Sequence, residues 1–304
     1  MSHKTPNIAV ETGLLVLLSF LWGGSFTLTE VALDTVPPAS IVAARLIIGA
    51  GLLILTALWM RLKFPSTIAA WSALLVQGIL QSALPFTLIS WGQTRIDSGL
   101  AGLLNITPPL FVFLISLILL GDRANLGRRF TGTVIGFAGV AATLGPAAFA
   151  DDRGSVLGQL AITGASLSYA LAALFARRFS GQPPILTAAC SMSMAAAIMI
   201  PAAFLTDQPH TLSPSIEGIA ASLGLGCFST AIAMAIYFRL VRTLGPLGVT
   251  TGSYLRAGFS MLLGALLLGE ALSSAQMLGF VLILLGVAVT TGQIRYPFRA
   301  RHAQ

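Results

Sequence analysis

DSGLAGLLNITPPLFVFLISLILLGD, residues 97–122, is apolar for longer than a bilayer is thick, yet carries Asn105, Pro108 and Pro109 near its middle. A water-soluble helix does not place two prolines and an amide inside such a run, because each proline removes a backbone donor. A second stretch, PLGVTTGSYLRAGFSMLLGALLLGE at 246–270, ends in the same way. Leu119, Leu120, Gly121 and Asp122 close the first, and Leu267, Leu268, Gly269 and Glu270 close the second. Tyr254 and Arg256 interrupt the second at about the depth of Asn105 and Pro108 in the first. Paired, interrupted hydrophobic segments in corresponding places of two halves point to the binding site of a transporter.

The rest of the composition agrees. Of 304 residues, 56% are hydrophobic and only 9% are charged, against about 25% charged in soluble domains. The chain cannot cover a water-facing surface and is expected to be an all-α polytopic membrane protein with the lipid bilayer as a partner. The net charge of +7 does not indicate a nucleic-acid partner, since the bases come in twos and threes beside apolar runs, as in cytoplasmic loops. Cys190 and Cys227 lie singly in apolar runs, and His3, His210 and His302 lie in loops or tails. No metal site is expected. No phosphate-cradling Gly-x4-Gly-Lys-Ser/Thr loop occurs, so no nucleotide or other cofactor is expected on this chain.

A spanning helix needs about 20 apolar residues. Ten segments meet that, at about 12–32, 38–60, 67–92, 98–120, 128–146, 155–176, 184–205, 216–238, 246–268 and 273–294. The run from Leu14 to Leu33 is too long for a signal-peptide core and is read as the first span. Bases gather on alternate loops, at 61–63, 123–129, 177–178, 239–242 and 295–301, while Arg95 and Arg153 stand on the other side among most of the acids. The positive-inside rule then puts both termini in the cytoplasm.

The halves repeat. Pro37–Pro38 and Pro183–Pro184 open the second and seventh segments, and GTVIGFAGVAAT from Gly132 matches GFVLILLGVAVT from Gly279. Residues 1–148 and 149–304 are read as two five-helix units. Five is odd, so the second unit is expected to insert upside down, giving two inverted five-helix repeats.

The paired Leu-Leu-Gly-Asp/Glu endings, the central proline of the fourth segment and the Gly-x6-Gly segment after it resemble the EamA family of the drug/metabolite transporter superfamily. The resemblance covers nearly the whole chain. It implies a ten-helix exporter, not an enzyme, with a central cavity lined by the first, third, fourth, sixth, eighth and ninth helices. Within the family the chain is most similar to bacterial amino-acid and metabolite exporters, including the aromatic amino acid exporter type.

Charge within a membrane costs at least ~2.5 kcal/mol per residue and demands a reason. Arg256 is too deep to snorkel. Either it faces a wet cavity and attracts a substrate carboxylate, or it bonds carbonyls freed by the prolines of the fourth helix. Arg45, about two turns inside the second helix, is read as structural or gating, paired with Glu30 or snorkelling. Trp22, beside Gly23 and Gly24, and Tyr169 lie too deep for an interfacial belt, and together with Tyr254 they suit an amphipathic zwitterion with an apolar side chain. Gln77 and Gln81 share a helix face and join Asn105 and Pro108 as candidate substrate contacts. Pro85, Trp91 and Tyr237 complete the gating or structural set. The depth at which small multidrug relatives carry a carboxylate holds Trp22 here, which argues against cation/proton antiport.

The leading expectation is a secondary transporter exporting small metabolites, amino acids foremost, by alternating access as a functional monomer. The alternatives are a multidrug exporter and, more distantly, a polytopic lipid-modifying enzyme. The latter would need clustered His, Asp or Cys at one face, where the chain has only Asp151–Asp152 in a loop.

Overall fold

The computed structural model describes residues 8–121, 125–149, 153–179, 181–243, 252–271 and 273–292. Among them there are helices and no strands. In order they are α1 (Ile8–Leu33), α2 (Pro38–Trp59), α3 (Ile68–Gly78), α4 (Leu84–Gln93), α5 (Ser98–Leu104), α6 (Pro108–Leu120) and α7 (Leu126–Phe149). Then follow α8 (Arg153–Phe175), α9 (Pro184–Thr206), α10 (Ile216–Gly226), α11 (Ala233–Thr243), α12 (Gly252–Leu268) and α13 (Ser274–Thr291). Among the described residues, seven stretches are long and apolar enough to cross a membrane: Ala9–Leu33, Pro38–Trp59, Ile68–Gln93, Ser98–Ile118, Ser155–Phe179, Pro184–Thr206 and Ile216–Tyr237. Shorter apolar helices run over Leu255–Leu268 and Ser274–Thr290.

Helix ends follow the local chemistry. Pro38 and Pro184 sit at the first turn of α2 and α9, where a missing N–H costs nothing. Thr67 and Ser215 cap α3 and α10 by accepting from Ala70 N and Gly218 N, and Ser273 and Gln276 form a reciprocal capping box on α13. Gly121 and Gly269 take φ of 63° and 69°, a left-handed conformation that favours glycine. That is why both Leu-Leu-Gly-acid endings stop a helix.

The two proline-bearing segments, the third and the fourth, behave differently. The segment at 67–92 is not broken by Pro85; the helix continues and accommodates it through a π-turn at Ile79–Ala83. A π-turn also occurs at Cys227–Ile232, between α10 and α11. Each follows a glycine in close contact. A Cβ on Gly78 would collide with Ser191 O of α9, and one on Gly226 would lie 2.6 Å from Ile48 Cβ of α2. The segment at 98–120, by contrast, is two helices, α5 and α6, separated at Asn105–Thr107.

The packing pairs one half with the other. α2 lies against α9, α7 against α13, α1 against α12 and α4 against α8; α3 lies on α9 as α10 lies on α2. Lipid is as apolar as leucine, so association relies on close van der Waals fit and buried hydrogen bonds. The α7–α13 seam shows this. A Cβ on Gly132 would lie 2.7 Å from Gly286 O, and one on Gly139 would lie 2.8 Å from Gly279 O.

Candidate functional site

The break between α5 and α6 frees two carbonyls. In a continuous helix Leu104 O and Asn105 O would accept from residues 108 and 109, but both are prolines without N–H. Leu104 O instead receives Thr107 Oγ1 at 2.9 Å and Ser166 Oγ of α8 at 3.3 Å. Asn105 O receives Arg256 Nη2 of α12 at 2.6 Å. Asn105 Nδ2 reaches Ser166 Oγ at 3.5 Å. Asn105, Thr107 and Ser166 are all fully buried, so these bonds replace water that cannot enter. Arg256 thus engages a freed carbonyl, while its Nε is buried with no partner.

Arg45 does not pair with Glu30, contrary to the pairing considered from the sequence. It is 9% exposed and donates from Nε to Thr230 Oγ1 at 2.8 Å. Its guanidinium stands 3.9 Å from the Phe86 ring centroid, a cation–π contact worth ~2 kcal/mol when desolvated. Thr230 in turn donates to Leu225 O, five residues back, along the π-turn. Widened turns of this kind recur at functional sites. Glu30 instead accepts from Gln93 Nε2 at 3.0 Å, and the same amide nitrogen bonds Phe26 O at 2.8 Å.

Tyr169 of α8 packs against both central apolar clusters, one containing Phe86, which lies under the Arg45 guanidinium, and the other Ala257, next to Arg256 in sequence. Gln77 is buried and donates to the half-buried Gln81 at 3.5 Å. Ser168 bonds Leu80 O at 2.8 Å, tying α8 to the first π-turn. Trp22 packs against Tyr237 with ring centroids 5.6 Å apart, and Gly23 lets α1 approach the backbone of Arg256 closely. Pro108 opens α6. Trp91 lies under the Arg95 guanidinium, 4.3 Å away, and stands apart from the central group. The side chain of Tyr254 and residues Asp122, Asp151, Asp152 and 244–251 lie outside the described residues. The structure therefore brings Asn105, Arg256 and Tyr169 together. It adds Arg45, Phe86, Thr230 and Ser166, of which only Arg45 was conspicuous in the sequence.

Both ends of the helix bundle are tied. Near the start of α1, Glu11 accepts from Arg239 Nη2 at 2.8 Å and from Thr243 Oγ1 at 2.9 Å, joining α1 to α11. At the opposite end, Glu270 accepts from Ser98 N and Gly99 N, both at 2.8 Å, satisfying free donors at the start of α5. Ser260 Oγ donates to Ser98 O at 3.0 Å. Asp97 stands beside this cap, and partial burial together with the Glu270 charge raises its carboxyl pKa above the usual range. The folded protein thus holds this proton more tightly than the unfolded chain. The resulting stability is present below the unfolded carboxylate range and is lost as pH rises through the folded value. Asp97→Asn is therefore expected to raise the melting temperature at about pH 7.5 and change it little near pH 4. Thermal unfolding at the two pH values checks this, and a lower melting temperature at the higher pH would refute it.

Comparison with known proteins places this geometry in a family. The profile of the EamA-like transporter family matches the chain twice, over residues 12–145 and 156–292. The chain is 26% identical over 288 residues to YedA of Escherichia coli, described as an uncharacterized inner membrane transporter, covering 94% of this chain and 92% of that one. It is 24% identical over 292 residues to the protein PagO of Salmonella typhimurium, covering 95% of each. To the uncharacterized transporter YvbV of Bacillus subtilis it is 25% identical over 281 residues, covering 91% and 90%. A solved crystal structure at 23% identity superposes with a TM-score of 0.66, covering 95% of this chain and 99% of that one; that likeness carries the fold alone.

Proposed function

The chain belongs to the EamA-like transporter family, and we propose that it is a secondary transporter exporting small metabolites, amino acids foremost, from the cytoplasm. The reading takes ten spanning helices as two inverted repeats, 1–148 and 149–304, in a bacterial inner membrane with both termini cytoplasmic. One chain holds both repeats, so a functional monomer suffices. Trp22, Gln77, Gln81, Asn105, Pro108, Tyr169, Tyr254 and Arg256 form the proposed substrate site. Glu30, Arg45, Pro85, Trp91 and Tyr237 serve gating or support.

One observation carries the reading: Arg256 on α12 meets the carbonyl freed at the α5–α6 break. Half-helix ends and unwound carbonyls at mid-membrane are where transporters of inverted-repeat design hold their substrates. A guanidinium there suits a carboxylate and repels cations, which disfavours a multidrug exporter of cationic compounds. Alternating access would require the Glu11–Arg239 tie at one end and the Glu270 cap at the other to open in turn.

Counterflow in proteoliposomes tests the proposal. Vesicles preloaded with unlabelled amino acids and related small metabolites are expected to accumulate the matching radiolabelled compound. A correctly folded protein that exchanges none of them would refute it.

A further inference from the structure

We propose that Arg45 and Arg256, whose contacts both adjoin Tyr169, act together as an anion-recognising pair, and that the transported molecule is an organic anion with two acidic groups. The proposal rests on the transport reading above and narrows its substrate class. It also moves Arg45 from gating or support to direct recognition.

Both side chains are cations in the apolar interior, and among the described residues neither meets a carboxylate. Three acids at the helix ends are engaged elsewhere: Glu11 with Arg239 and Thr243, Glu30 with Gln93, and Glu270 with the α5 amides. Intramembrane charges ordinarily pair with one another or with carbonyls, or mark a substrate path. Arg256 gives one Nη2 bond to Asn105 O and keeps a buried Nε without an acceptor. Arg45 is nine-tenths buried, yet only its Nε is hydrogen-bonded, to Thr230. Phe86 lies 3.9 Å from its guanidinium, and among the described residues no hydrogen bond engages the paired Nη groups.

A planar guanidinium with its outer nitrogens free matches a carboxylate in a two-pronged arrangement. Both guanidinium groups adjoin Tyr169 of α8: Phe86, under the Arg45 guanidinium, belongs to an apolar cluster that Tyr169 packs against, and Ser166, one turn before Tyr169, meets the Asn105 whose carbonyl holds Arg256. A zwitterionic monocarboxylate would satisfy one and set its ammonium against the other. A molecule with two carboxylates satisfies both, and its aliphatic body can lie against Tyr169 and Phe86.

The test compares the intact protein with Arg45→Gln and Arg45→Lys in proteoliposomes, using radiolabelled succinate, L-glutamate and L-leucine in counterflow. Succinate or glutamate is expected to exchange at least tenfold faster than leucine. Arg45→Gln should reduce that exchange at least tenfold, and Arg45→Lys should retain part of it. Leucine exchanging fastest, with Arg45→Gln unaffected, would overturn this inference and leave the transport reading standing. Preference for the dicarboxylates without loss in Arg45→Gln would overturn the role given to Arg45. Exchange of none of the three probes by folded protein would overturn this inference, while the transport reading is overturned only if the wider set of amino acids and metabolites also fails to exchange. Should Arg45→Gln not fold, the unaltered protein still decides: succinate should raise its melting temperature and leucine should not, and the reverse would overturn the proposal.

Discussion

Arg256→Ala is expected to abolish transport and to lower the melting temperature. Removing the guanidinium leaves Asn105 O buried without a donor, since Pro109 cannot supply one. An unsatisfied buried carbonyl costs roughly 1–3 kcal/mol. The variant also loses the cation proposed to hold the substrate, and truncating one side of a buried charge contact costs about 2–5 kcal/mol. At ~1.4 kcal/mol per decade, that is more than a tenfold loss of transport. Arg256→Gln separates the two effects. Its amide can still donate to the carbonyl, so stability should largely return while transport stays low. Counterflow and thermal unfolding of both variants check this, and full transport by Arg256→Gln would show that the charge is dispensable.

Gly286→Leu is expected to prevent accumulation of folded protein. A Cβ at that position would fall against Gly136 N, 2.5 Å from Gly136 Cα and 2.6 Å from Gly132 O. Overpacking usually costs about 1–3 kcal/mol when side chains can yield. Here the obstacles are backbone atoms of α7, so relief requires separating α7 from α13, one of the seams along which the two halves meet. Gly258→Ala is the matched control, because a Cβ there meets nothing within 4 Å and helix propensity favours alanine. Size-exclusion profiles of the detergent-solubilised protein should show a collapsed monodisperse peak for the first and an intact one for the second. A normal peak for Gly286→Leu would contradict the close seam.

What was legible in the sequence was what local chemistry dictates. Pro38 and Pro184 mark helix starts and Gly121 and Gly269 mark ends, because each choice depends on one residue's own backbone. The glycines of α7 and α13 were legible as a repeat, from Gly132 and from Gly279, but their packing on one another was not. Of the two readings of Arg256, the bond to a freed carbonyl could be anticipated because Pro108 and Pro109 remove identifiable donors. The π-turns after Gly78 and Gly226 could not, since one extra residue per turn leaves the composition unchanged. Nor could the partners of Arg45: Thr230 lies 185 residues away in sequence, and Phe86 is one apolar residue among many. The return of Glu270 to the start of α5 was hidden for the same reason, a contact between two loops 172 residues apart.

The account turns on a central site that opens to one side of the membrane at a time. The direct test places Gln81→Cys in a Cys190→Ala, Cys227→Ala background and measures its modification by a membrane-impermeant thiol reagent from each side of sealed vesicles. Labelling is expected from both sides. It should be confined to one side once Glu11→Cys and Thr243→Cys are joined by a short bifunctional cross-linker across the α1–α11 contact. Labelling from both sides with that end locked would indicate a continuous pore, and labelling from neither side without the lock would indicate sealed packing; either result contradicts the account.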